Sequence, residues 1–231
     1  MYRGVSFLGI ALLVTVLATA QEKSVNPGIN DPFKNPDVEK FTKTFEGESR
    51  ELFVHREKVV QAIGLKSGMI VADIGAGTGL YTRLFAKEVG TEGQVFAVDI
   101  SAKFLEQIQK TSREANLKNV TPVLCNADSV DLPPNSIDLA YICDTYHHFE
   151  FPERTMLSLH RALKPGGRLV LIDFHRIPGK SSEWTLKHVR AGQEVFEKEI
   201  LSCGFKKTDE IKDILKENYF VIFTKPTKGD K

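Results

Sequence analysis

Cysteine is scarce in this chain, with three among 231 residues. An odd count excludes full intramolecular pairing, and Cys125 and Cys143 fall in predicted inner strands with Cys203 near a helix end, so buried free thiols are expected. An excess of one charge is missing as well. The 31 basic and 30 acidic residues leave a net charge of +1, which offers nucleic acid or an anionic membrane no complementary surface. There is no internal repeat and no low-complexity segment. At 42% apolar the chain can bury a full core, and its strand and helix signals form one continuous alternation, so a single domain is expected.

The N-terminus departs from that pattern. Arg3 precedes an uncharged run from Val5 to Ala20 that ends in the small-x-small triplet Ala18-Thr19-Ala20, which reads as a secretory signal peptide over residues 1–20. An uncleaved membrane anchor is the alternative, although the run is short for a span. The expected location is therefore exported, periplasmic or secreted, or else anchored, with no stable membrane insertion if the signal is removed. Residues 21–37, with Pro27, Pro32 and Pro36, read as a tether without a core of its own, and residues 38–231 as the domain.

The most informative stretch is VADIGAGTG, Val71 to Gly79, an apolar strand running into Asp73 and then Gly75, Ala76, Gly77 and Gly79. Glycines there permit positive φ and let backbone approach a ligand that a β-carbon would repel. Two common ligand loops lack their defining residues. A dinucleotide fingerprint needs glycine where Leu80 stands, and a P-loop needs a lysine that does not follow Gly79. An acid on the strand before the turn suits an ammonium or sulfonium group better than a pyrophosphate.

Further acids close later strands. Gln94 to Ile100 carries Asp99, placed to accept hydrogen bonds from ribose hydroxyls, and Val120 to Ala127 leads into Asp128, placed to reach an exocyclic amine. A lone acid at a strand end is commonly a cap or turn former, whereas a succession of them is much stronger evidence. The runs VADIGAGTG, AVDIS, CNADSVDLP, SIDLAYICDTYHHF and LKPGGRLVLIDF together resemble the successive motifs of class I S-adenosylmethionine-dependent methyltransferases, nearest to the small branch of ubiquinone and menaquinone C-methyltransferase-like proteins. The resemblance covers roughly residues 45 to 225. It implies a Rossmann-like open α/β sandwich, a mostly parallel seven-stranded sheet with a C-terminal antiparallel pair. It also implies S-adenosyl-L-methionine as cofactor, with Asp73, Gly75, Ala76, Gly77, Gly79, Asp99, Ile100, Ala127, Asp128 and Cys143 as its binding residues. The acceptor is left open, with a small molecule expected.

Strand four is expected over Ile137 to Cys143, strand five over Arg168 to Phe174, a helix over Pro152 to Leu163, and one long helix over Glu183 to Ser202. Val38 to Ile63 reads as helical with a break near Gly47, and Lys206 to Ile211 with Tyr219 to Thr224 as the final pair of strands. Ligands in such a fold sit at the carboxyl ends of the strands, which draws attention to Asp144, His147, His148, His188 and Arg190. Asp144, His147 or His188 could act as general base and Arg190 could steady an oxyanion, if the acceptor loses a proton on methylation. The plainer reading packs His148 and Phe149 under the cofactor, sets His147 in the pocket wall and leaves Arg190 solvated. No metal site is expected, because no spacing in the chain resembles a ligand set. Acceptor choice is expected to lie with Arg176 to Gly192 and Val38 to Arg56.

Export sits uneasily with a cytoplasmic cofactor, so a binding module for S-adenosylmethionine or a nucleoside, without turnover, is the alternative. Leu80 disfavours a nucleotide-dependent oxidoreductase. The residues Asp144-Thr145-Tyr146-His147 after strand four, in place of an Asn-Pro-Pro-Tyr type motif, disfavour a nucleic-acid methyltransferase.

Overall fold

Apolar strands alternating with one-sided helices give this chain a sheet covered on both faces. A computed structural model describes residues 21–227 and 229; the signal peptide or anchor expected over residues 1–20 lies outside the described residues. The chain enters through four short helices, α1 (Asp31–Lys34), α2 (Val38–Phe45), α3 (Glu51–Val54) and α4 (Arg56–Ile63). Strands β1 (Ile70–Ile74), β2 (Gln94–Asp99) and β3 (Val120–Leu124) follow, separated by α5 (Leu80–Val89) and α6 (Ala102–Glu114). Then come β4 (Ile137–Cys143), a 3-10 turn over Tyr146–His148, α7 (Pro152–Ala162), β5 (Leu163–Phe174), α8 (Glu183–His188), α9 (Gln193–Ser202), β6 (Lys206–Ile211) and β7 (Asn218–Thr224). Among the described residues no helix is long and apolar enough to cross a membrane.

The seven strands run in the order β3-β2-β1-β4-β5-β7-β6. Neighbours from β3 to β5 are parallel, while β7 pairs antiparallel with both β5 and β6. This is the Rossmann-like sandwich with a C-terminal antiparallel pair. The chain steps outward from β1 to β3 and then returns to β4 on the other side of β1, so β1 and β4 flank the switch point where open α/β sheets bind ligands. Register sharpens the placement. Ile74 pairs with Val98 on one side and Ile142 on the other, which sets Gly75, Asp99 and Cys143 side by side at one edge. Cys143 in turn pairs with Ile172, bringing Asp144 beside Asp173.

The inner strands are buried on both faces, as their continuous apolar runs require. Ala72, Ile74, Ala140 and Ile142 pack toward Met156 and Leu159 of α7, and Val71, Leu139 and Tyr141 pack toward Phe85 and Val59 on the opposite face.

Three expectations need correction. The single helix over Glu183 to Ser202 is two, because Val189 turns to an extended conformation (ψ 118°) and Gly192 (ψ 174°) starts α9 afresh. Arg176 closes the end of α8 by donating to the carbonyls of Val189 at 2.8 Å and Leu186 at 2.9 Å, so those carbonyls have partners without a continued helix. Strand β3 ends at Leu124, three residues short of Ala127. Residues 21–37, read as a tether, lie against the domain: Asn30 is buried and donates to the His148 carbonyl at 3.0 Å, and the Phe33 ring meets the His148 ring edge-on at 4.9 Å.

Candidate active site

One cavity of about 600 Å³ opens at the carboxyl ends of β1, β2, β4 and β5. Its first end is built largely from backbone. After β1 the chain turns with Gly75 at φ +71°, and the amides of Gly75 and Ala76 both donate to the Val98 carbonyl, at 2.8 and 3.1 Å. A β-carbon on Gly75 would collide with the Thr145 side chain, and one on Gly79 would lie 2.6 Å from Ile108, so glycine is needed at both for fit as well as for φ. Asp99 gathers the loop by accepting from the Gly77 amide at 2.9 Å and from the Ser101 amide at 2.8 Å.

Both acids at this end are buried. Burial raises the Asp73 carboxyl to about 7, against the opposing hydrogen bond from Thr82, whose hydroxyl donates at 2.6 Å. Burial also raises Asp99 to about 6, opposed by the amides of Gly77, Ser101 and Ile100. Two acids held out of solvent, with no cation bonded to either among the described residues, suit a ligand that brings an ammonium, a sulfonium or hydroxyl donors. Burial pushes the Cys143 thiol well above its usual range, so it presents a neutral, weakly polar wall.

The second end is aromatic and titratable. His147 is buried in the 3-10 turn, where its Nδ1 lies 2.8 Å from Asp173 Oδ1 and its backbone amide donates to Asp173 Oδ2 at 3.2 Å. Burial opposes charge on this ring, but the Asp173 carboxylate outweighs it and the net shift is upward. His148 is driven the other way, to about 2, first by burial and then by its histidine neighbours. The His148 and His188 Nε2 atoms approach to 3.3 Å, and Trp184 stacks on the His188 ring at 4.5 Å. Phe33 and Phe174 complete this end.

A roof from the N-terminal helices closes over both ends. Phe41 and Phe45 line it, and Glu46 is clamped by Arg83 through two bonds of 2.9 and 2.8 Å. Arg50 reaches Asp144 at 2.5 Å and lies over the Phe45 ring, so a single ion pair ties the roof to the end of β4.

Asp73, Gly75, Ala76, Gly77, Asp99, Ile100, Ala127, Cys143, Asp144, His147 and His188 all line the cavity. Gly79 stands just outside it at the start of α5. Asp128 is not in the lining. Because β3 ends early, the segment after it folds around Asp131, which accepts from the Asn126 amide and the Ser129 hydroxyl, and Asp128 pairs with Arg154 at 2.5 Å. Asn126 and Ser129 line the wall instead.

Arg190 is likewise elsewhere. The break after α8 turns it toward α9, where Glu199 takes both guanidinium arms at 2.8 and 2.6 Å and the Phe196 ring lies beneath, so it is neither solvated nor available to an oxyanion. Asp144 lines the cavity but is already bonded to Arg50 and to Asn218 Nδ2, which removes it as a free base. The expectation that no ligand set exists also fails as geometry, since ligand atoms of His147, His148 and His188 lie within 4.8 Å of one another. Sequence reasoning missed Asn30, Phe33, Arg50 and Asp173. Only Asp173 carried a signal, as an acid near the end of a strand.

Comparison with known proteins agrees with this geometry. A family model described as a methyltransferase domain matches residues 65–219. A ubiquinone/menaquinone biosynthesis C-methyltransferase from Psychromonas ingrahamii is 34% identical over 116 residues, covering 50% of this chain and 46% of that protein. Its counterpart from Hydrogenovibrio crunogenus is 29% identical over 128 residues, 54% of this chain and 50% of that protein. The chain thus spans about half the length of the curated relatives it matches. A crystal structure of an S-adenosylmethionine-dependent methyltransferase from Aquifex aeolicus superposes with a TM-score of 0.73 at 26% identity, covering 83% of this chain and all of that one.

Proposed function

The chain belongs to the methyltransferase-domain family, and from that premise we propose that it is an S-adenosylmethionine-dependent methyltransferase acting on a small acceptor with an apolar, flat body. The observation that carries the proposal is the continuity of the cavity: the glycine loop and the aromatic, histidine-lined end share one cleft. In this reading the cofactor lies over Gly75 to Gly77 with its ribose at Asp99, its cationic end faces Asp73, and its adenine lies between Ile100 and the Asn126–Ala127 wall. The acceptor occupies the space between Phe33, Phe174 and Trp184, below the roof.

Displacement at a sulfonium methyl is an in-line transfer whose barrier falls through alignment and exclusion of water. The roof held by Arg50–Asp144 and Arg83–Glu46 supports both functions. Aromatic walls select a flat acceptor.

Calorimetry of the protein with S-adenosylmethionine and S-adenosylhomocysteine tests the donor half, with Asp99→Ala as control. Transfer of labelled methyl to panels of small phenols, quinols and thiols tests the acceptor half. Tight donor binding together with acceptor-dependent release of S-adenosylhomocysteine is the expected result. Binding without transfer to any panel would replace the proposal with a cofactor-binding module.

A further inference from the structure

His147 and His148 stand in the 3-10 turn after β4, and His188 stands at the end of α8, forty residues further along the chain. All three rings meet in the acceptor end of the cavity, with one ligand atom from each inside a 4.8 Å group. Zinc bound to imidazole nitrogens at about 2.0–2.1 Å in tetrahedral geometry sets its ligand atoms about 3.3 Å apart. His148 Nε2 and His188 Nε2 are 3.3 Å apart.

The surroundings also have the form of a metal centre. His147 holds its Nδ1 against a buried carboxylate, Asp173, which fixes the ring and commits Nε2 as the nitrogen left for a ligand; this is how metal-bound histidines are usually oriented. Trp184 stacks on His188, and Phe33 abuts His148, so those two rings are also held in place by packing. The neighbouring acid Asp144 is occupied by Arg50 and Asn218 and is not a fourth ligand. Three histidines with a free fourth position form the donor set of an open, zinc-type site.

We propose that His147, His148 and His188 bind a divalent zinc-type ion whose open position faces the acceptor and takes its thiol. The site deepens the proposed methyl transfer and rests on that reading for its role in the reaction, although metal binding itself does not. The acceptor thiol gives its proton to solvent as its sulfur binds the ion, because a coordinated thiol is deprotonated at neutral pH. A sulfur lone pair then forms the new S–C bond to the methyl as the C–S bond of the sulfonium breaks. That bonding pair returns to the cofactor sulfur, leaving neutral S-adenosylhomocysteine and a thioether that binds the ion more weakly than the thiolate and departs. No oxidant or reductant is involved.

The test uses the full-length protein stripped with a chelator and dialysed. Titration with cobalt(II) is expected to give intense visible absorption of tetrahedral type that saturates at one ion per chain and is displaced by zinc. His188→Gln, at a half-buried position, and His148→Gln are each expected to abolish stoichiometric uptake while S-adenosylmethionine binding by calorimetry is unchanged. In the wild type, a small aromatic thiol is expected to perturb the cobalt spectrum. Absence of uptake by folded protein that still binds the cofactor overturns the site, as does uptake that survives both substitutions. A spectrum indifferent to thiols overturns the acceptor assignment. Uptake intact in a protein that fails to bind S-adenosylmethionine would leave the metal site standing and defeat the methyl-transfer reading instead.

Discussion

The two ends of the cavity are built on opposite plans. The donor end comes from one short run, Asp73 to Gly79, plus Asp99 at the tip of the adjacent strand, and its contacts are mostly backbone amides. The acceptor end draws on Phe33, on His147 and His148, on Phe174, and on Trp184 and His188, segments scattered from the first helix to the eighth. A backbone-built site tolerates little variation in sequence because glycine and a strand-end acid are its only solutions, whereas a side-chain-built site can change its ligand without disturbing the sheet.

The comparison breaks most severely at the link between the ends. Arg50→Met leaves Asp144 buried beside Asp173 with Asn218 as its remaining hydrogen-bond partner, and removing one partner of a buried ion pair costs about 3 kcal/mol or more. Denaturant unfolding should show that loss, and both donor and acceptor binding should weaken. Unchanged stability would mean that the roof is not anchored by this pair.

Asp99→Ala should act on the donor end alone. It removes the acceptor of the Gly77 and Ser101 amides as well as the proposed ribose contact, and charged hydrogen bonds of about 1.5–3 kcal/mol predict about a 10- to 100-fold loss of S-adenosylmethionine affinity by calorimetry. Metal uptake should not change.

The donor end should also carry the pH dependence. Asp73 and Asp99 sit at about 7 and about 6 in the free protein, above the ordinary range of carboxylic acids. Both therefore take up protons as pH falls from 8 to 5.5, and a ligand that needs the carboxylates must displace those protons. Affinity for S-adenosylmethionine should drop about a hundredfold across that window, with affinity rising as pH rises, and Asp73→Asn should remove most of that slope. A profile that rises toward acid would contradict the assignment of Asp73 to a cationic group.

The smallest effect belongs to the acceptor end. Trp184→Ala removes one aromatic stack of about 1 kcal/mol on His188, so acceptor KM should rise several-fold while donor affinity is unchanged. A change confined to the donor would show that Trp184 belongs to the cofactor instead.

The sheet, its order of elements and the donor loop were readable because each depends on local rules. Val71 to Ile74 and Ile137 to Cys143 are apolar runs that only a doubly covered strand can bury, and Gly75 marks a backbone turn that few other residues can make. Asp128 misled because whether a strand runs on for three more residues depends on turn bonding around Asp131, which periodicity does not register. Arg190 misled for a similar reason: the helix stops at Val189, where Arg176 from the loop just before it takes up the freed carbonyls, a contact that periodicity does not register. Asn30 and Phe33 sit in a proline-rich segment whose composition gives no hint that it is seated on His148.

By itself the sequence determined the fold class and the chemistry of the donor end, since hydrophobic periodicity, glycine at positive φ and acids at strand ends are properties of neighbouring residues. Only the tertiary structure decided that Arg50 occupies Asp144, that Arg190 belongs to Glu199, and that His188 shares one small volume with His147 and His148, forty residues earlier. Those pairings depend on how the elements pack, and packing selects among many partners that local sequence leaves equally available.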